Sequence, residues 1–588
     1  MKYLFTLKNR INNLVSSSYL QDIILNLFFL RFFTSMKYFI LFFTLFTCNL
    51  SISQNFYLKI EGENDFETKQ IDSINYKSKH KLVADILKEK EIFDLTLQNN
   101  GFFEAELIKQ TKTNDSTFLF QYKLGLPFKK IHIYTGTISE DILATLQIES
   151  DSIRLKIKET ESWMQSKVNL LEKKGYSLAK LSLTNHKQIK NKLTATLFIE
   201  LNQKRTVDDL VILGYDKFPT NIKKNWIKKY KRRTFNQDLV KEINDDFSEL
   251  PFITQTKYPE ILFTENSTKI YTYLEKTKPN KFDGFIGFSN DENNKLIFNG
   301  YLDLSLQNIF NSGEKFKLYW KNDGKQQTSF NLGTELPYLF KSPLGLKADL
   351  RIFKRDSTFQ NTITDLNLGY YFTYNKKVYL GFQNTKSVDI QKVNSATLNT
   401  FTNTFYTTSF EYFKRKIDDF LFPERTNFLF KTGFGNRKIA SENTSQFFGQ
   451  IDATHILYLN TKNNIRIKNQ TFYLNSDTYI INELYRFGGI NSIRGFRENS
   501  LQANFFSGLM LEYNYILAPN IYVHSITDYG YFQDKSSEIQ DSLLGLGFGF
   551  GLLTNNGLFN LVYANGSTNN QAIKLSNSII HISFKTNF

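Results

Sequence analysis

Residues 281–588 are predicted to form an all-β, 16-stranded antiparallel barrel that crosses a membrane. The residues before them are predicted to form α+β repeats. Three observations lead there. First, the 588-residue chain holds 57 Phe and 32 Tyr, yet its mean hydropathy is −0.36. A membrane barrel uses such rings on its lipid face and in girdles at both interfaces. Second, no stretch after residue 55 has the ~20 apolar residues that a spanning helix needs. A chain that crosses a membrane without such helices must cross as strands closed on themselves. Third, only strand patterns appear from residue 281 on, in sixteen candidate segments running from 281–289 to 573–588. Their spacing of about 19 residues suits ~10-residue membrane strands plus turns. The even number puts both barrel ends on one side of the membrane.

Residues 1–53 read as an upstream segment followed by a secretory signal, with Met36 as the expected true start. Lys37 supplies the positive end, Tyr38 to Cys48 the apolar core, and Ser51-Ile52-Ser53 a small-x-small cleavage site. Cys48 is the only cysteine, so the processed chain would have no disulfide and no thiolate metal site. The net charge is +16, and its densest run is Lys223 to Arg233. A solvated helix face explains that run; contact with anionic head groups is the alternative. No nucleic-acid partner is expected for an exported chain.

The segment before residue 281 repeats. Strand 57–62 leads to a helical region ending near Gly101, and strands follow at 104–112 and 117–124. Strand 130–136 leads to a helix ending at Gly175, with strands at 178–184 and 192–201. Strand 209–215 leads to a helix ending near Leu250, with strands at 252–256 and 268–275. The helix ends recur every ~75 residues, a module repeat somewhat longer than solenoid units. Met164, Val168 and Leu171 share one helix face, and Gly175 then stands where a left-handed C-cap belongs. Asn236 is the expected N-cap of a helix whose buried stripe is Leu239, Ile243, Phe247 and Leu250. The expected units are 54–127, 128–206 and 207–280, ahead of a barrel at 281–588.

The last strand alternates clearly. Ile580, Ile582, Phe584 and Phe588 share one face, while His581, Ser583, Lys585 and Asn587 share the other. That pattern puts lipid outside and water inside. Strands eleven and twelve are joined by a long loop, 477–501, that carries Gly488, Gly489, Ile493, Arg494, Gly495 and Phe496. Loops of that length in a compact domain are usually functional.

Pleat parity predicts what Arg494 can meet. Leu509, Leu511, Tyr513 and Tyr515 take the lipid face, so Met510 and Glu512 take the lumen. Tyr529 and Tyr531 point out, so Asp528 and Gly530 point in. Gly545, Gly547, Gly549 and Gly551 form a bare strip on the inner wall. A strip without side chains lets another backbone approach closely. The loop is therefore expected to fold inward and pack on this strip, with Arg494 paired to Asp528 and Glu512 nearby.

These residues resemble a known family. Gly488-Gly489 followed by Ile493-Arg494-Gly495-Phe496 looks like the inward-loop motif of the outer-membrane assembly-factor superfamily: BamA, TamA and the two-partner-secretion transporters. Thr527-Asp528-Tyr529-Gly530 resembles its aspartate-x-glycine strand motif, the partner of that arginine. The three N-terminal units resemble its polypeptide-transport-associated (POTRA) domains, and three of them look most like TamA. Phe584 and Phe588 fit its C-terminal strand signal.

The resemblance implies a bacterial outer-membrane location with POTRA domains in the periplasm. It implies a factor that folds and inserts β-barrel or other clients without nucleotide; a polypeptide secretion pore is the alternative. The implied partners are unfolded client polypeptides, outer-membrane lipid and an accessory subunit spanning the periplasm. The first strand, with Gly284 and Gly287, becomes the expected gate against the last. No enzyme or cofactor site is expected. The six histidines are scattered, with no HExxH, phosphate loop or G-x-S-x-G.

Overall fold

The computed structural model describes residues 55–189, 192–290, 296–322, 327–391, 397–555, 557–574, 576 and 578–587. The expected signal segment, 1–53, and the expected terminal Phe588 lie outside them.

Each N-terminal unit is a small sheet crossed by two helices. The first has strands Phe56–Gly62, Lys79–His80, Glu106–Lys112 and Thr117–Lys123, with helices Asp65–Asp72 and Val83–Asn99. The second has strands Lys130–Tyr134, Ser152–Lys156, Lys180–Ile189 and Lys192–Glu200, with helices Glu140–Leu146 and Ile157–Lys173. The third has strands Asp209–Leu213, Ile253–Phe263 and Thr268–Lys276, with helices Thr220–Tyr230 and Gln237–Ser248. In all three the first strand pairs parallel with the last, so the helical segment is the crossover. The short strands Lys79–His80 and Ser152–Lys156 are not in the sequence expectation. Runs of two to five residues are too short to set up an alternating pattern.

Local signals set the helix ends. Gly175 has φ +98° and closes its helix, with the Tyr176 N–H donating to Leu171 O at 3.0 Å. The Asn236 side chain accepts the Leu239 N–H at 2.8 Å. Leu239, Ile243, Phe247 and Leu250 are all buried, and the Phe247 ring meets Trp226 edge-on at 4.7 Å. Tyr230 donates to Asp246 in the same core, and burial beside that carboxylate pushes its hydroxyl far above the usual range. We expect Asn236→Ala to destabilise this unit by about 1 kcal/mol, the usual cost of a lost cap. Urea-dependent protease cleavage within 207–276 of the full chain would show it as a lowered midpoint.

Sixteen strands, from Lys281–Asn290 to Ile579–Asn587, form one closed antiparallel barrel. Their order follows the chain throughout, interrupted only by the loop between Asn463–Ser476 and Phe505–Ala518. Strand ends shift by a few residues from expectation; the last strand begins at Ile579 rather than 573. The pleat is as expected near the C-terminus. Phe548, Tyr529, Ile580 and Ile582 are exposed on the outer face, while Met510 and Asp528 are buried. No helix among the described residues is long and apolar enough to cross a membrane.

The third unit is built onto one rim of the barrel. The Asn221 amide donates to Ser312 O at 2.8 Å and to Pro337 O at 3.0 Å, both in turns between barrel strands. The Trp226 indole donates to the Tyr338 hydroxyl at 3.3 Å. The Arg415 backbone N–H donates to Glu249 at 3.0 Å. One apolar core runs from Val207, Trp226 and Phe247 to Tyr338, Tyr371 and Tyr379.

Candidate functional site: the inward loop and the closing seam

The chain leaves the barrel wall at Ser476 and rejoins it at Phe505, after a hairpin of Tyr485–Phe487 with Leu501–Ala503. The loop is thus somewhat longer than the expected 477–501. Gly488, Gly489 and Gly495 have φ of +103°, +96° and +87°, a region that side-chain-bearing residues avoid. They let the hairpin tip fold back on itself. The Ser492 N–H donates to Gly489 O at 3.0 Å, and the Gly489 N–H to Ile493 O at 3.2 Å.

Ile493 is fully buried in an apolar cluster with Phe487, Phe506, Met510, Phe532 and Leu543, and Phe496 packs at its edge. That cluster seats the loop against the inner wall and aims the next residue at it. Arg494 is 4% exposed and Asp528 0%. The Arg494 Nε donates to Asp528 Oδ2 at 2.8 Å, and its backbone N–H donates to the same oxygen at 2.9 Å. One terminal nitrogen, Nη2, reaches Asp528 Oδ1; the other, Nη1, reaches Glu512. The fork of the guanidinium matches the carboxylate on two parallel bonds. Glu512 also faces Arg466 on the adjoining strand at 3.6 Å. Removing Arg494 would leave buried Asp528 without its bidentate partner and take one cation from Glu512.

The glycine strip needs correcting. A Cβ on Gly545 would lie 2.3 Å from Arg494 O, and one on Gly530 would lie 3.1 Å from Ile493 Cδ1. These two positions do receive the loop. Gly547, Gly549 and Gly551 do not. Their added carbons would meet Tyr563 O, the His524 ring and the Tyr522 ring, all on neighbouring strands. The reason is height along the strand. Gly545 stands opposite Asp528, whereas Gly549 and Gly551 stand opposite His524 and Tyr522, further from the loop. Two other glycines complete the seat. Gly508 lies under Ile493, and Gly566 meets Gly495 backbone to backbone. Asn565-Gly566 reads locally as a turn, so sequence hides Gly566.

The loop has two further anchors that sequence reasoning did not find. Glu498 accepts from Lys321 and from the Tyr319 hydroxyl, on the third barrel strand Lys315–Asn322. Glu483 pairs with Arg437, which is 1% exposed, and accepts from Gln446 at 2.9 Å. Arg437 also donates to Thr478 O at 3.1 Å. The loop therefore touches the wall on several sides of the lumen.

The seam where the barrel closes is short. Only Lys281↔Asn587 and Phe282↔Thr586 pair across it among the described residues. By contrast, strand Leu344–Arg355 pairs with its neighbour from Leu344↔Tyr370 to Arg355↔Phe359. Gly284 and Gly287 lie in the first strand opposite Leu302 and Asn299 of the second. Phe584 is on the outer face of the last strand. Loop residues 494–498 reach from the twelfth, thirteenth and fifteenth strands to the third, and so run behind this seam. Among the described residues no cluster of His, Cys, Asp and Glu could hold a metal ion.

CdiB from Acinetobacter baumannii superposes with a TM-score of 0.51 at 12% identity, over 86% of this chain and 98% of that one. The chain has the CdiB fold. CdiB from Escherichia coli gives the same TM-score, 0.51, at 12% identity over 85% and 97% of the two chains. BamA from Haemophilus ducreyi lacking POTRA domains 1–3 is 15% identical over 78% of this chain and 98% of that one, with a TM-score of 0.43. No protein-family model and no curated protein matches the sequence.

Proposed function

We propose that this chain is a member of the BamA, TamA and two-partner-secretion superfamily. In this reading it folds and inserts client proteins into the bacterial outer membrane without nucleotide. Its three α/β units act as POTRA domains in the periplasm, over 54–127, 128–206 and 207–280. Arg494, Asp528 and Glu512 hold the inward loop, and Gly284 and Gly287 belong to the gate strand.

The observation that carries this reading is the two-residue seam. Elsewhere the strands are zipped to their neighbours. At the seam, strands Lys281–Asn290 and Ile579–Asn587 pair at two positions among the described residues, Lys281↔Asn587 and Phe282↔Thr586. An unpaired strand edge is a template for another strand. A client strand adding there gains ladder hydrogen bonds as it enters lipid, where an unbonded backbone is most costly. The free energy for insertion then comes from the client's own pairing and burial.

The second reading, a polypeptide secretion pore, is favoured by the fold shared with CdiB, a two-partner secretion pore. Depleting the protein and quantifying the outer-membrane proteome separates the two. A broad fall in barrel proteins supports the insertase. Loss of a single secreted polypeptide with the barrel proteome intact supports the pore. An unchanged proteome and secretome contradicts both.

A further inference from the structure

We propose that the pocket on helix Thr220–Tyr230 binds the phosphate of an anionic phospholipid head group at the barrel rim. The pocket holds about 430 Å³ and is open on one side. Its lining combines Ile212, Phe218 and Ile227 with Tyr215, Asp216 and Thr220 and the two lysines Lys223 and Lys224.

The basic run of this helix is not uniform. Lys229 and Arg233 are committed to Asp246 and Glu242. Lys223 and Lys224 form no ion pair among the described residues. A merely solvated helix face accounts for lysines spread in water. It does not account for two lysines without ion pairs that line one cavity together with Ile212, Phe218 and Ile227. Two lysines against one carboxylate leave a single positive charge, which matches the single negative charge of a phosphodiester.

Height in the membrane is the second, independent observation. Asn221 precedes the two lysines and is bonded to Ser312 O and Pro337 O in two barrel turns. The same two turns carry Phe310 and Phe340, which are 72% and 94% exposed. Phenylalanines so exposed are unfavourable in water and fit the head-group boundary of a bilayer, where barrels carry their aromatic girdles. The pocket therefore sits where lipid phosphates lie, with glycerol and the upper acyl chain available to cover Ile212, Phe218 and Ile227. Each lysine near an anionic surface is worth about 1 kcal/mol. The inference depends on the barrel lying in a membrane and not on what the barrel transports.

The full chain in detergent would be titrated with dihexanoyl phosphatidylglycerol, dihexanoyl phosphatidylcholine and inorganic phosphate, and bound lipid read by native mass spectrometry. We expect phosphatidylglycerol to be retained over phosphatidylcholine. Lys223→Gln with Lys224→Gln should weaken that retention roughly thirtyfold, about 2 kcal/mol for the pair. Lys228→Gln, on the same helix but outside the pocket, should behave as wild type. The heat-dependent gel shift of the folded barrel controls for folding. Equal retention in the double variant, or an equal loss in Lys228→Gln, overturns the proposal. Competition by inorganic phosphate at the same concentration would mark a soluble-phosphate site and overturn the lipid assignment.

Discussion

Arg494→Ala will detach the inward loop from the barrel wall. In the folded chain Asp528 is fully buried and accepts three N–H groups from this one residue. Alanine keeps the backbone donor and removes the guanidinium, leaving two carboxylates in a dry wall with one partner fewer. Breaking a buried pair in this way costs roughly 3–5 kcal/mol. Each 1.4 kcal/mol is tenfold in an equilibrium, so a docked loop becomes mostly undocked. The barrel itself should survive, because its strands are held by backbone ladders that do not involve Arg494. The expected result in planar bilayers is a larger and noisier conductance than wild type, with the heat-dependent gel shift retained. Arg494→Lys should be nearly as severe: it keeps the charge but cannot bond Asp528 and Glu512 with one planar fork. A wild-type conductance in both variants would contradict this account of the loop.

Gly545→Val should give the same conductance with every charge of the triad still present. A Cβ at this position would lie 2.3 Å from Arg494 O and 3.3 Å from the carbonyl carbon. These are backbone atoms that cannot swing aside, so the loop must move. Overpacking of a well-filled site costs about 1–3 kcal/mol. Gly551→Ala is the matched comparison on the same strand. Its added carbon meets the Tyr522 side chain of the neighbouring strand, and the loop lies elsewhere. We expect Gly551→Ala to leave conductance near wild type. Equal effects of the two substitutions would mean that position along the strand does not decide where the loop sits.

Much of this arrangement is legible in the sequence, for physical reasons that also mark where legibility stops. A strand between lipid and water must alternate, so all sixteen barrel strands show in the pattern, and Ile580, Ile582 and Phe584 fall on the outer face. Parity also places Asp528 and Glu512 on the inner wall, the side where Arg494 meets them. Parity gives the face of a strand but not the height on it. That is why Gly547, Gly549 and Gly551 look equivalent to Gly545 in sequence, yet seat side chains and strands of the wall instead of the loop. Contacts closed over long chain distances are hidden as well. Lys321 and Glu498 meet because the barrel closes, and nothing local to either residue announces the other. The Arg437–Glu483 pair is hidden in the same way, since Arg437 reads as one more polar residue at the end of a strand. Gly566 is masked by its own neighbour, because Asn-Gly ordinarily marks a turn.

The central claim is that a buried arginine holds the loop inside the barrel. The most direct test is a cryo-electron microscopy map of the full chain in lipid nanodiscs. It should show the segment 477–504 within a sixteen-stranded barrel, with the Arg494 side chain against Asp528 and Glu512. A map that places this loop in solvent outside the barrel, with Asp528 facing an empty lumen, would contradict it.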